Sequence, residues 1–114
     1  MTNEDLVSHL VGLGHTAETL DRGPQDRWIL VREYPISTGN LAGQSRDLAI
    51  QWSPQIPYVA PSAVHVRPWV VDMGTRNAQH SVLGAEWQYL SRVLRCPPTP
   101  QAWVVHINTI FSEF

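Results

Sequence analysis

Residues 49–66 read AIQWSPQIPYVAPSAVHV: a short apolar run, a connector carrying Pro54, Pro57 and Pro61, then a second short apolar run. Proline restricts φ and has no N–H to donate, so the connector is neither a helix nor a central strand. The stretch therefore reads as two sheet strands joined by a rigid, shaped loop. Upstream, residues 28–34 (WILVREY) are dense in strand formers, and residues 47–52 alternate Leu48, Ile50 and Trp52 against Ala49 and Gln51. The turn-rich segment 35–44, with Ser37, Thr38, Gly39, Asn40 and Gly43, joins these two runs as a hairpin loop.

Farther out, residues 16–20 predict a short strand followed by the turn Asp21-Arg22-Gly23-Pro24. Before it, Asn3 is placed to cap a helix that begins with Glu4 and Asp5, presents Leu6, Leu10 and Leu13, and stops at Gly12 and Gly14. Residues 67–84 lose periodicity and read as a long irregular stretch; such loops in compact domains are often functional. Residues 86–94 read as a short helix. Thr99-Pro100 is a helix start, and Trp103, Ile107, Ile110, Phe111 and Phe114 share one stripe at helical spacing. The order is helix, an antiparallel meander of about four strands, a proline-rich loop, an irregular crossing and a C-terminal helix. That is α+β, in a single domain over residues 1–114.

Composition narrows the function classes. A length of 114 residues, 43% apolar content and five tryptophans suit one packed domain. A net charge of −2 provides no basic field for non-specific nucleic-acid binding. No apolar run approaches the roughly 18 residues of a membrane span. The start MTNEDLVSHL lacks a basic n-region and does not resemble a secretory signal. A single cysteine, Cys96, excludes an intrachain disulfide and fits a reducing, cytoplasmic compartment. All eight basic side chains are arginines. A GC-rich genome explains that, and so does a need to avoid amines near activated carboxyl groups, since arginine is never deprotonated to a nucleophile.

With these elements in order, the chain resembles the ubiquitin-conjugating-enzyme (UBC) fold. In that family the third strand runs into Pro-x-x-Tyr-Pro-Phe-x-x-Pro-x-Val-x-Phe; here Pro54-Gln55-Ile56-Pro57-Tyr58-Val59-Ala60-Pro61 is followed by Val64 and Val66. Family members carry Trp-x-Pro before the next helix; here Arg95-Cys96-Pro97-Pro98 precedes residues 103–114. The likeness is to short bacterial UBC-like proteins encoded beside ubiquitin-like proteins and their activating enzymes, in antiviral defence operons. It implies three kinds of partner: a ubiquitin-like protein, an activating enzyme or a second UBC-like subunit. The implied binding end comprises Ile56, Pro57, Tyr58 and Pro61 with Arg95, Pro97 and Pro98. Tyr58, held between prolines, is either an interface anchor with little entropy to lose or a residue that packs the loop down.

The departures concern catalysis. Catalytic relatives carry His-Pro-Asn about ten residues before the thioester-forming cysteine; here His80-Ser81-Val82 occupies that region. Counting forward from Gly84 and back from Pro97 places Trp87 or Gln88 where the nucleophile belongs, and neither forms a thioester. Cys96 is the only thiol: as a nucleophile it needs a lowered pKa, for which Arg95 and the nearby helix start are sources, but it lies past the catalytic slot. Ser91 offers a hydroxyl for an oxyester if His80 or His106 activates it, and otherwise reads as a helix-surface serine. The histidines His9, His15, His65, His80 and His106 show no metal-ligand spacing, and nothing calls for a cofactor. The expected function is a non-catalytic UBC-like binding subunit. An active carrier using Cys96 or Ser91, and an unrelated α+β peptide-binding module, are the alternatives.

Overall fold

The first helix, α1 (Asn3–Gly12), starts one residue earlier than the sequence suggests. Thr2, not Asn3, is its cap: the Thr2 hydroxyl accepts from the Asp5 N–H at 3.0 Å, and the Asp5 carboxylate accepts from the Thr2 N–H at 2.9 Å. This reciprocal box satisfies two helix-end donors at once, which Asn3 could not do at this spacing. The protein is described by a computed structural model covering residues 2–52, 63–71, 78–90 and 99–114.

Six strands follow: β1 (Thr16–Asp21), β2 (Arg27–Pro35), β3 (Ser45–Gln51), β4 (Val64–Arg67), β5 (Ala78–Ser81) and β6 (Gly84–Leu90). They form one antiparallel sheet in the order β1-β2-β3-β4-β6-β5, and α2 (Pro100–Phe111) comes last. The α+β class and both terminal helices stand, but the sheet has two strands more than expected. The extra pair lies where an irregular crossing and a helix at 86–94 were expected. Within that window Gly84–Leu90 is a strand; residues 91–94 fall outside the described residues. Gly84, at φ +132°, follows the Val82-Leu83 turn and closes a hairpin. Trp87 and Tyr89 then alternate with Gln88 and Leu90, a period of two that a helix cannot use.

Both helices contribute to one core. Leu6 and Leu10 of α1 and Trp103, Ile107, Ile110 and Phe111 of α2 are buried with Ile29, Val31, Leu48, Ile50, Val64, Val66 and Leu90 from the sheet. The α2 stripe is as expected, with Thr99 capping through its hydroxyl, which accepts from the Ala102 N–H at 3.2 Å. A bulge between Val31 and Tyr34 changes the alternation of β2 and returns Tyr34 to the same core. Across the sheet lies a second, smaller cluster of Trp28, Leu30, Ala49 and Trp87. This corrects the half-buried reading of residues 47–52: Leu48, Ala49 and Ile50 are all buried, because apolar packing occurs on both faces of β3.

The loop between β2 and β3 is held against the end of α2. Thr38 Oγ1 donates to the Asn108 carbonyl at 2.9 Å, and the Asn40 N–H donates to the Phe114 carbonyl at 2.9 Å. Tyr34 donates its hydroxyl to Asn108 Oδ1 at 2.8 Å. Gly39 sits between these contacts at φ +74°, and a Cβ there would lie 2.7 Å from the Phe111 carbonyl oxygen. Gly39→Ala is therefore expected to destabilise the fold by about 2–3 kcal/mol, combining a left-handed backbone with a backbone clash. Urea unfolding of the variant measures this, and a loss below about 0.5 kcal/mol contradicts the close approach.

Candidate functional site

The sheet face opposite the helices carries the chemistry that the described residues bring together. On β2, β3, β4 and β6 the outward positions are Trp28 and Leu30, Asp47 and Ala49, His65 and Arg67, and Trp87 and Tyr89, set side by side by the registers Leu30↔Ala49, Ala49↔His65 and His65↔Tyr89. Arg67 is the hub. Its guanidinium donates to Asp47 Oδ2 from Nη2 at 2.7 Å and Nε at 3.2 Å, and its Nη1 lies 3.7 Å from Glu86 Oε2. The same guanidinium lies over the Trp87 ring, 4.6 Å from its centroid, a cation–π contact.

Asp47 is fixed from two sides, since its Oδ1 accepts from the Glu33 N–H at 3.0 Å. Glu33 is a bulge residue at φ +50°, so this bond holds a backbone conformation that a side-chain-bearing residue seldom adopts. Burial works to raise the Asp47 carboxyl, but the Glu33 N–H and the Arg67 guanidinium outweigh it and hold the pKa below its ordinary value.

Two clefts open beside Arg67. One of about 550 Å³ is lined by Arg67, Pro68, Trp69, Ala85 and Glu86. The other, of about 230 Å³, is lined by Glu33, Ser45, Arg46, Asp47, Arg67 and Pro68. Trp69 is 38% exposed, so an aromatic ring stands open at the mouth of the larger cleft.

His65 lies behind this hub. Its ring meets Trp28 edge-on at 4.8 Å and Tyr89 at 5.0 Å, and its Nδ1 is 2.7 Å from Ser81 Oγ. Ser81 Oγ also accepts from the Leu83 N–H at 3.0 Å, so one hydroxyl ties the β5–β6 turn to the His65 ring. Burial lowers the His65 pKa to about 4. The pair ties the β5–β6 turn to β4.

Compared with protein families, curated proteins and solved structures, the chain matches none of them.

The expected binding residues Ile56, Pro57, Tyr58, Pro61, Arg95, Pro97 and Pro98, and the candidate nucleophiles Cys96 and Ser91, all lie outside the described residues. Of the bases considered for Ser91, His80 lies exposed on the edge strand β5 and His106 is buried on α2. Trp87 and Gln88, counted to the nucleophile's place, lie on β6 within the sheet, not on a loop. Gln88 is fully buried: its Oε1 accepts from the Val70 N–H at 2.9 Å and the Val71 N–H at 3.4 Å, and its Nε2 donates to the Val71 carbonyl at 2.7 Å. No group of three or more histidine, cysteine or acidic side chains gathers as metal ligands among the described residues. Sequence reasoning missed the Arg67–Asp47–Trp87 hub because 20 residues separate each partner from Arg67 and only the strand register joins them.

Proposed function

We propose that this chain is a non-catalytic, UBC-like binding subunit of a bacterial ubiquitin-like conjugation pathway. The observation that carries the reading is the occupation of the expected nucleophile position by Trp87 and Gln88. The Gln88 carboxamide is consumed by backbone bonds to Val70 and Val71, and the Trp87 ring lies under Arg67, so neither position offers a reactive group. The order of helix, four-strand meander and proline connector between β3 and β4 supports the same reading, and β5–β6 is then an addition that replaces the catalytic crossing.

Such a subunit works by holding a protein partner. The Arg67–Glu86–Trp69 rim sets an aromatic ring and an arginine, two residue types enriched at protein interfaces, beside a cleft, with the Glu86 carboxylate at its polar margin. The partner is a ubiquitin-like protein, its activating enzyme or a second UBC-like chain.

An NMR titration with the ubiquitin-like protein encoded nearest this chain's gene tests the reading. The expected result is saturable shifts at Trp69, Ala85 and Glu86, with an affinity weakened about tenfold or more by Trp69→Ala. No binding by the neighbour-encoded ubiquitin-like protein, its activating enzyme or a second UBC-like chain contradicts the proposal and favours an unrelated peptide-binding module.

A further inference from the structure

The outer edge of β1 is an unprotected strand, and its bonding pattern fits a second copy of itself. In an antiparallel ladder both backbone groups of a residue point to the same neighbour, alternating along the strand. The Arg22 N–H donates to the Asp26 carbonyl at 2.9 Å, continuing the β1–β2 ladder. Leu20, Glu18 and Thr16 therefore face β2 as Arg22 does, and Ala17, Thr19 and Asp21 face away from it. The Trp52 N–H agrees: it donates to the Arg27 carbonyl at 2.9 Å, which turns Arg27 toward β3 and leaves Trp28 to pair with Leu20.

Ala17, Thr19 and Asp21 thus present their N–H and C=O groups with no partner strand among the described residues. β1 is six residues long, contains no proline and pairs with β2 without a register shift, so neither proline nor a bulge blunts its edge. Its acids are offset by arginines of this chain: Glu18 lies 3.1 Å from Arg32, and Asp21 lies 3.6 Å from Arg27. Exposed apolar side chains also occur on β1 and in the helix end and cap that precede it in sequence. Among the described residues the large apolar side chains that stand exposed are Val11, Leu13, Leu20, Trp69, Val82 and Val105; the first three lie in the last turn of α1, its cap and β1.

We infer that the chain forms a two-fold symmetric dimer by antiparallel pairing of β1 with β1 of a second copy, centred on Thr19. In that register Thr19 exchanges both backbone bonds with Thr19 of the second copy, and Ala17 does so with Asp21. Every outward-facing residue of β1 is then paired within the strand. Leu20 lies opposite Glu18 of the second copy, and no two like charges are directly opposed. Centring the pair on Glu18 faces carboxylate against carboxylate, which is unfavourable. Centring it on Leu20 moves Ala17 opposite Gly23, beyond the strand's end. The inference is independent of the conjugation reading, because it uses only the edge and the exposed apolar residues of β1 and the helix end before it.

Sedimentation velocity across a concentration series tests it, with amide hydrogen exchange at the two extremes. The expected species is twice the 12.9 kDa chain, with the Ala17, Thr19 and Asp21 amides protected at high concentration and exposed at low. Thr19→Pro removes only an outward N–H, which an edge strand tolerates, and should weaken the dimer on the order of 30-fold while monomer unfolding is unchanged. Thr19→Lys, which sets two ammonium groups against each other across the axis, should give a monomer even if the proline variant folds poorly. A wild-type chain still monomeric at about 1 mM, the weak end of specific association, overturns the proposal. So does a dimer unaffected by Thr19→Lys.

Discussion

Acidification from pH 7.5 to pH 4.5 is expected to cost this fold about 2–3 kcal/mol through His65 alone. The folded-state pKa is about 4 and the ordinary value is 6.5. Between these values the unfolded chain binds a proton that the folded chain does not, so stability is complete above about pH 6.5 and falls as the pH drops toward about 4. Each pKa unit corresponds to about 1.4 kcal/mol, which sets the size of the loss. The cause is burial of the ring among Trp28 and Tyr89, which disfavours the charged form. Urea unfolding of the wild type and of His65→Gln at pH 7.5, 6 and 4.5 checks it. The variant is expected to be less stable at pH 7.5 and to show a flatter profile; an unchanged slope contradicts the assignment. Asp47, whose pKa is held low, contributes in a different window. Its stabilisation is present above about pH 4 and is lost only as the pH falls through its folded-state value.

Gln88→Met should destabilise the protein by about 2–4 kcal/mol, although side-chain length and volume barely change. The substitution removes three hydrogen bonds that the fully buried Gln88 makes to the half-buried Val70 and Val71 backbone, each worth about 1 kcal/mol. The segment Pro68–Val71 carries Trp69 and one wall of the larger cleft, so the loss is felt at the candidate binding rim as well. Amide exchange separates the local effect from the global one. Val70 and Val71 should exchange faster than the β2–β3 ladder in the variant, whereas a uniform acceleration would mean that Gln88 acts only through the core.

How much of this was legible differs along the chain. The stripe Trp103, Ile107, Ile110, Phe111 and the cap Thr99 are local signals, and α2 follows them closely. The strands around residues 28–34 and 47–52 were equally plain, because β-branched and aromatic runs have few other uses. Residues 84–90 misled because GAEWQYL contains good helix formers. The hairpin is decided by Gly84 and by pairing with β4, a contact remote in sequence. His65 stands between two valines of β4, but its Ser81 partner lies 16 residues on and is joined to it only by the sheet. The resemblance to the UBC family implies a binding end at the proline loop and the Arg95–Pro98 segment, and both lie outside the described residues. The Arg67 hub depends wholly on register, so no local motif announces it.

The proposed role leaves no reactive group where a conjugating enzyme would carry its nucleophile. Incubating the chain with a neighbour-encoded ubiquitin-like protein, its activating enzyme and ATP, followed by intact-mass measurement, tests it most directly. The account predicts that this chain keeps its own mass while the activating enzyme becomes charged. A thiol-sensitive adduct that disappears in Cys96→Ala, or a hydroxylamine-sensitive adduct that disappears in Ser91→Ala, would contradict it.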